Sequence, residues 1–252
     1  HITLPQVGGV GQRKLMNAKV LVIGAGGLGS PLLLYLAAAG LGTIGIIDDD
    51  KVELSNLQRQ IIHKTNKIGA HKTDSAKETI LSINPNINII TYKERFSISN
   101  AEKIISKYDI VADGSDNFGT RFLANDVCFL SKTTLVSAAI LRFEGQISTY
   151  TAYKDSNCCY RCLWPEPPPK GLIASCSEAG VFGALAGSIG SIQAIEVLKE
   201  ILGIGKSLNN FLLIFDTLSS EMRKIKINKD NKCQLCGTKP TITSIKKHKD
   251  YL

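Results

Sequence analysis

An apolar run, Lys19-Val20-Leu21-Val22-Ile23, leads directly into Gly24-Ala25-Gly26-Gly27-Leu28-Gly29-Ser30. A strand that ends in G-x-G-x-x-G and passes into a helix has the layout of a nucleotide-binding turn. Gly24 permits the tight reversal, Gly26 lets backbone N–H groups approach phosphate, and Gly29 lets the helix pack closely on the sheet with its positive end toward the anion. A second apolar run, Thr43 to Ile47, ends in Asp48-Asp49-Asp50. Asp48 lies 19 residues beyond Gly29, where an acidic side chain accepts ribose hydroxyls. An ordinary glycine-rich turn without a ligand competes for this segment taken alone, and the turn by itself names no reaction.

Four of the seven cysteines form two C-x-x-C pairs, Cys159 with Cys162 and Cys233 with Cys236. The 70 residues between the pairs exceed the roughly 15–20 of a zinc-ribbon knuckle, so the fold must bring them together. Four thiolates suit a closed tetrahedral Zn²⁺ shell with no place for water, which makes such a site structural. A redox pair or two local disulfides are the rival readings. Cys128 sits in an apolar helical stretch and reads as core; Cys158 receives no role. Cys176 follows Pro165-Glu166-Pro167-Pro168-Pro169-Lys170-Gly171 and precedes Ser177-Glu178-Ala179. A thiol at a helix start can have a lowered pKa and act as a nucleophile; a small residue in a loop is the alternative.

The elements that must position these groups alternate along the chain. Strands are expected at 19–24, 43–48, 87–92, 108–113 and 134–139, with helices near 27–40, 69–83, 99–107 and 117–131. The fold class is therefore α/β, a Rossmann-like doubly wound and mostly parallel sheet. After residue 144 the pattern changes, with an alternating strand at Gln146–Tyr153 and a later strand pair at Phe211–Asp216 and Met222–Ile227. The sheet should become mixed or antiparallel at that end. An apolar helix over Gly183–Leu202 is interrupted by Gly187 and Gly190 and belongs in the core or at a subunit contact. We read 1–252 as one unit: an N-terminal arm (1–18), a nucleotide-binding half (19–140) and a second half that carries the cysteine pairs (141–252).

The 252 residues, 44% hydrophobic, suffice for one full α/β core. A net charge of +8 admits an acidic partner, but the lysines are scattered. The basic tail Lys246-Lys247-His248-Lys249 lacks interleaved aromatics, and nucleic-acid binding is not expected. No run reaches bilayer-spanning length and no signal-like segment opens the chain, so no membrane association and a cytoplasmic location are expected.

The loop after the second strand, Asp50-Lys51-Val52-Glu53-Leu54-Ser55-Asn56-Leu57-Gln58-Arg59-Gln60, makes the reading specific. With the glycine-rich turn, V-x-x-S-N-L-Q-R-Q resembles the adenylation domain shared by ubiquitin-activating enzymes and the bacterial ThiF/MoeB/HesA family. The similarity continues in order through Gly69-Ala70-His71-Lys72, Asp113-Gly114-Ser115-Asp116-Asn117, Arg142-Phe143-Glu144-Gly145-Gln146, Cys159-Tyr160-Arg161-Cys162 and Glu178-Ala179-Gly180-Val181.

The resemblance implies a homodimeric adenylyltransferase that attaches AMP to the C-terminal glycine of a ubiquitin-like sulfur-carrier protein ending in Gly-Gly and releases pyrophosphate. It implies an ATP site built from Gly24, Gly26, Gly27, Gly29, Asp48, Asn56, Arg59, Lys72 and Asp116. Arg59 and Lys72 would supply positive charge, Asn56 would contact phosphate or ribose oxygens, and Asp116 would hold Mg²⁺. The residue chemistry agrees, because a carboxylate attacking an α-phosphate brings anions together and needs cations around it. For Asp50 and Asp113, orienting neighbours is the alternative to a direct role. In the thiamine branch a cysteine at the position of Cys176 takes part in sulfur transfer. The proline-rich segment followed by Ser175-Cys176-Ser177-Glu178 looks more like the molybdopterin branch, whereas Leu163-Trp164-Pro165 also resembles the thiamine one. Family members usually carry R-Y-x-R just before the position of His1, its last Arg reaching the neighbouring subunit's ATP site. Some carry a rhodanese-like extension; without one the sulfur donor is a separate protein. The rival classes are an NAD-dependent oxidoreductase and a non-catalytic scaffold.

Overall fold

The computed structural model describes residues 1–154, 156–169, 179–247 and 251. Cys176 and Glu178 lie outside them. Eight strands form one sheet in the order β3-β2-β1-β4-β5-β6-β7-β8. They are β1 (Lys19–Ile23), β2 (Thr43–Ile47), β3 (Asn88–Tyr92), β4 (Ile110–Asp113), β5 (Thr134–Leu141), β6 (Glu144–Tyr150), β7 (Phe211–Asp216) and β8 (Glu221–Lys226). The first five pair in parallel, and β6, β7 and β8 join antiparallel. The α/β, mixed-end sheet expected from the sequence is therefore the observed one.

The helices are α1 (Gly8–Asn17), α2 (Gly29–Ala38), α3 (Lys72–Ile83), α4 (Ala101–Ile105), α5 (Phe118–Leu130), α6 (Tyr160–Leu163) and α7 (Gly183–Leu202). Successive residues of β1 face opposite ways and find apolar cover on both sides. Val20 and Val22 join the core under α2 and α7, while Leu21 and Ile23 join the core under α4 and α5. This double burial explains why the parallel strands read as continuous apolar runs.

Several boundaries moved for identifiable reasons. Residues 1–18, expected as an arm, contain α1, whose Leu15 is buried. Lys14 Nζ ties α1 to the end of α7 by donating to Leu202 O at 2.9 Å. The helix expected from residue 69 begins at Lys72, because Gly69 takes φ +87° and His71 bridges to Lys51. The strand expected at 146–153 starts at Glu144, since β5 and β6 turn on Arg142 and Phe143, with Arg142 at φ +53°. The apolar helix over Gly183–Leu202 has the expected bounds and stops at Gly203 in the left-handed region, φ +69°.

From β1 the chain winds outward to β2 and β3, then returns to β4 on the other flank of β1. The crevice outside the carboxyl ends of β1 and β4 is the topological switch point where such sheets take ligands. Among the described residues no helix is long and apolar enough to cross a membrane.

Candidate active site

A cavity of about 370 Å³ opens at that switch point. Its walls include Gly24, Gly26 and Gly27 after β1, Asp48 and Asp50 after β2, Arg59 and Lys72 further along, and Ser115, Asp116 and Arg121 after β4. Gly24 adopts φ +92°, a region that disfavours side chains. A Cβ at Gly29 would collide with the Gly24 carbonyl, so only glycine lets α2 begin this close to the turn. Gly29 supports the cavity from behind and does not line it.

Asp48 closes the floor. Its Oδ2 accepts the Ala25 N–H at 2.8 Å and its Oδ1 accepts the Asp50 N–H at 2.9 Å. Burial pushes this carboxyl above its ordinary 3.8, opposed by the Lys72 charge and the two backbone donors. Each oxygen keeps a further lone pair for a hydroxyl donor. Lys72 opens α3 with only 7% of its side chain exposed, and its Nζ lies 2.6 Å from Asp50 Oδ2. The ammonium expected to supply positive charge is held by Asp50, which offsets the cost of a cation at a helix N-terminus.

Arg59 is half-buried beside Gly27. Its Nη1 donates to Ser55 O at 3.3 Å, and no described carboxylate pairs with it, which leaves the guanidinium charge directed at the cavity it lines. Asn56 does not line the cavity. Its carbonyl accepts the N–H groups of Arg59 at 3.1 Å and Gln60 at 2.9 Å, so its evident work is to shape the turn that presents them. Asp116 is exposed and has no hydrogen-bond partner among the described residues. Neighbouring Asn117 caps α5 by accepting the Thr120 N–H at 2.8 Å. Asp113, completely buried, accepts from Ser115 N at 3.0 Å and Ser137 Oγ at 2.9 Å. Burial raises its carboxyl, against the Arg121 charge and these bonds, and it orients the loop.

Sequence reading missed Arg121, Gln60, Arg95, Phe96 and His63. Arg121 donates through Nη2 to Ser115 O at 2.9 Å, while its buried Nε has no partner among the described residues. A cation one turn into a helix opposes the helix dipole, and that misfit was the available signal. Gln60 is buried with its Oε1 unpartnered. Arg95 and Phe96 follow β3 at its carboxyl end and line the cavity; position alone marked them.

A second, more apolar cavity of about 690 Å³ adjoins the first, and Asp116 and Arg121 form walls of both. Phe118, Phe143, Tyr150, Trp164 and Pro168 line it over the antiparallel strands.

The two C-x-x-C pairs meet. Cys159 Sγ lies 3.9 Å from Cys162 Sγ and 3.5 Å from Cys233 Sγ, and Cys162 Sγ lies 3.4 Å from Cys236 Sγ. Sulfurs around a tetrahedral ion with metal–sulfur bonds of about 2.3 Å stand about 3.8 Å apart, so the set fits a metal ion. None of the four forms a disulfide, which removes the paired-disulfide alternative. Cys158 and Cys128 are buried, and burial raises both thiols.

A doubly wound sheet with a glycine turn, a carboxylate at the end of β2 and cations over the switch point defines a nucleotide-binding α/β protein with a Cys₄ cluster that could hold a metal ion. The family model described as ThiF family matches residues 1–236. A sulfur carrier protein adenylyltransferase of Thermus thermophilus is 45% identical over 244 residues, 96% of this chain and 90% of that protein. The probable adenylyltransferase/sulfurtransferase MoeZ of Mycobacterium tuberculosis is 48% identical over 232 residues, 91% of this chain but 59% of that longer protein. Among solved structures, MccB of E. coli with ATP superposes with a TM-score of 0.78 at 23% identity, over 90% of this chain and 68% of that one; this likeness carries the fold alone. The chain belongs to the ThiF family.

Proposed function

We propose that this chain is an ATP-dependent adenylyltransferase acting on the C-terminal glycine carboxylate of a ubiquitin-like sulfur-carrier protein. The observation that carries the reading is the pair of adjoining cavities that share Asp116 and Arg121. One is polar and suits a nucleotide; the other is an apolar groove suited to an extended peptide tail. A tail lying along Phe118, Tyr150 and Trp164 would bring its carboxylate to the common wall, and a Gly-Gly end suits so confined a meeting point. The name and near full-length match of the Thermus thermophilus relative support the same chemistry.

In this reading a carboxylate oxygen attacks the α-phosphorus, the acyl-phosphate bond forms, and the bond to pyrophosphate breaks. Asp48 accepts ribose hydroxyls with its remaining lone pairs. Arg59 and the Asp50-held Lys72 stabilise charge that grows on the phosphate oxygens, and Arg121 orients the incoming carboxylate. Mg²⁺ bound by the free Asp116 carboxylate would screen the triphosphate and polarise its oxygens. Cys159, Cys162, Cys233 and Cys236 would hold Zn²⁺ in a structural role, since four thiolates leave no position for water. The working unit is a homodimer located in the cytoplasm. Cys176 as a covalent sulfur-transfer residue belongs to the thiamine alternative. The groove walls Glu166, Pro168 and Pro169 come from the proline-rich segment, which favours the molybdopterin branch.

Pyrophosphate–ATP exchange measured with each purified carrier tests the proposal. Exchange should depend on a carrier with an intact Gly-Gly end, more strongly with the molybdopterin carrier. Exchange with neither carrier, or tight NADH binding in its place, sinks it.

A further inference from the structure

The peptide linking Ala25 to Gly26 is clamped from beneath by His63. Its imidazole Nε2 lies 2.8 Å from Ala25 O, and its Nδ1 lies 2.9 Å from Ser75 Oγ on α3. A carbonyl oxygen only accepts, so Nε2 carries the proton and Nδ1 in the neutral ring accepts from the serine hydroxyl. The ring is buried, and burial lowers its pKa, as does the nearby Lys72 charge, which keeps it neutral. On the other side of Ala25, the N–H is fixed by Asp48 Oδ2. The Ala25–Gly26 peptide is trans, like every peptide bond in the chain among the described residues. In a planar trans peptide the C=O and the following N–H point in opposite directions. Holding the Ala25 oxygen toward the buried imidazole therefore turns the Gly26 N–H the other way, toward the cavity that Gly26 lines. No described residue accepts from that N–H.

We propose that His63 is a positioning residue for phosphate: by binding Ala25 O it holds the Gly26 N–H aimed at the nucleotide's phosphate chain. The inference rests on the nucleotide reading of this cavity and adds a residue that touches no ligand. Without the clamp the peptide is free to rotate, and a carbonyl oxygen facing phosphate would repel it.

Titration calorimetry of the full chain with Mg·ATP and, separately, with adenosine tests this. His63→Leu should weaken ATP about tenfold or more, the loss of one hydrogen bond to an anion, while leaving adenosine affinity within twofold. His63→Gln, whose amide nitrogen can replace Nε2, should recover ATP binding to within a few-fold of the parent chain. Should His63→Leu not fold, Ser75→Ala, which loosens the far side of the ring, should lower ATP affinity severalfold with adenosine unchanged. The proposal is overturned if the parent chain binds ATP and the His63→Leu or Ser75→Ala variant binds it equally well. Equal losses for ATP and adenosine overturn it too, as does failure of His63→Gln to recover binding. If the parent chain binds no ATP, the nucleotide reading itself falls and this inference with it.

Discussion

Asp116 and Arg59 differ from the other polar groups of the site in how little the protein asks of them. Asp116 is exposed and has no partner among the described residues, and Arg59 makes one long bond to a backbone carbonyl. Neither supports the core, so removing either should affect chemistry alone. Arg59→Ala and Asp116→Ala are expected to lower carrier-dependent pyrophosphate exchange on the order of 10²-fold or more, with thermal midpoint and metal content unchanged. Exchange rates near those of the parent chain would remove both from the proposed machinery. Lys72 is a different case, because its pairing with Asp50 makes its charge partly spoken for until an anion arrives.

Among the elements, α5 joins the site to the core. Its first turn carries Asn117 as cap and Arg121 as cavity wall, and its middle residues Phe122, Leu123 and Val127 are buried under the sheet. Asn117→Ala leaves the Thr120 N–H without its side-chain acceptor and should cost about 1 kcal/mol in denaturant unfolding. The Cys₄ centre performs the corresponding task at the other end. It fastens the segment around Cys233 and Cys236 to the short helix α6, where Cys159, Leu235, Cys236 and Ile242 form a small core of their own. Removal of the metal by chelation under reducing conditions should lower the thermal midpoint by about 10 °C or more. Midpoints that do not move while metal is lost would contradict a structural role.

Across the whole molecule, the cysteine cluster is tied to α5 by a buried ionic network. Arg161, between the two cysteines of the first pair, binds Asp126 of α5 through Nε at 2.8 Å and Nη2 at 2.7 Å, both side chains fully buried. Tyr251 donates to Asp126 Oδ2 at 2.5 Å, and Asn125 Nδ2 donates to Oδ1 at 2.8 Å. The guanidinium also lies 4.6 Å above the Phe122 ring. Breaking one side of such a pair strands a buried charge. Asp126→Asn should therefore cost about 3–5 kcal/mol by denaturant unfolding, whereas Asp126→Leu combined with Arg161→Met should recover part of that loss. A double variant no more stable than the single one would show that packing, not charge, dominates there.

What the residues determined alone were the features encoded by local spacing. The continuous apolar strands, the glycine turn, Asp48 at the end of the second strand and the bounds of the long apolar helix all follow from contacts within a few residues or from burial on both faces. The meeting of Cys159 and Cys162 with Cys233 and Cys236 could be inferred as necessary, because four thiolates seek one ion, but the contact itself is made by the fold. The rest depended on long-range approach. Asp50 captures Lys72 across 22 residues, and His63 reaches Ala25 across 38. Arg121 becomes a cavity wall only because α5 starts at the switch point. Periodicity reports which face a side chain takes, not which distant group it meets; that was decided when the sheet closed the crevice around them.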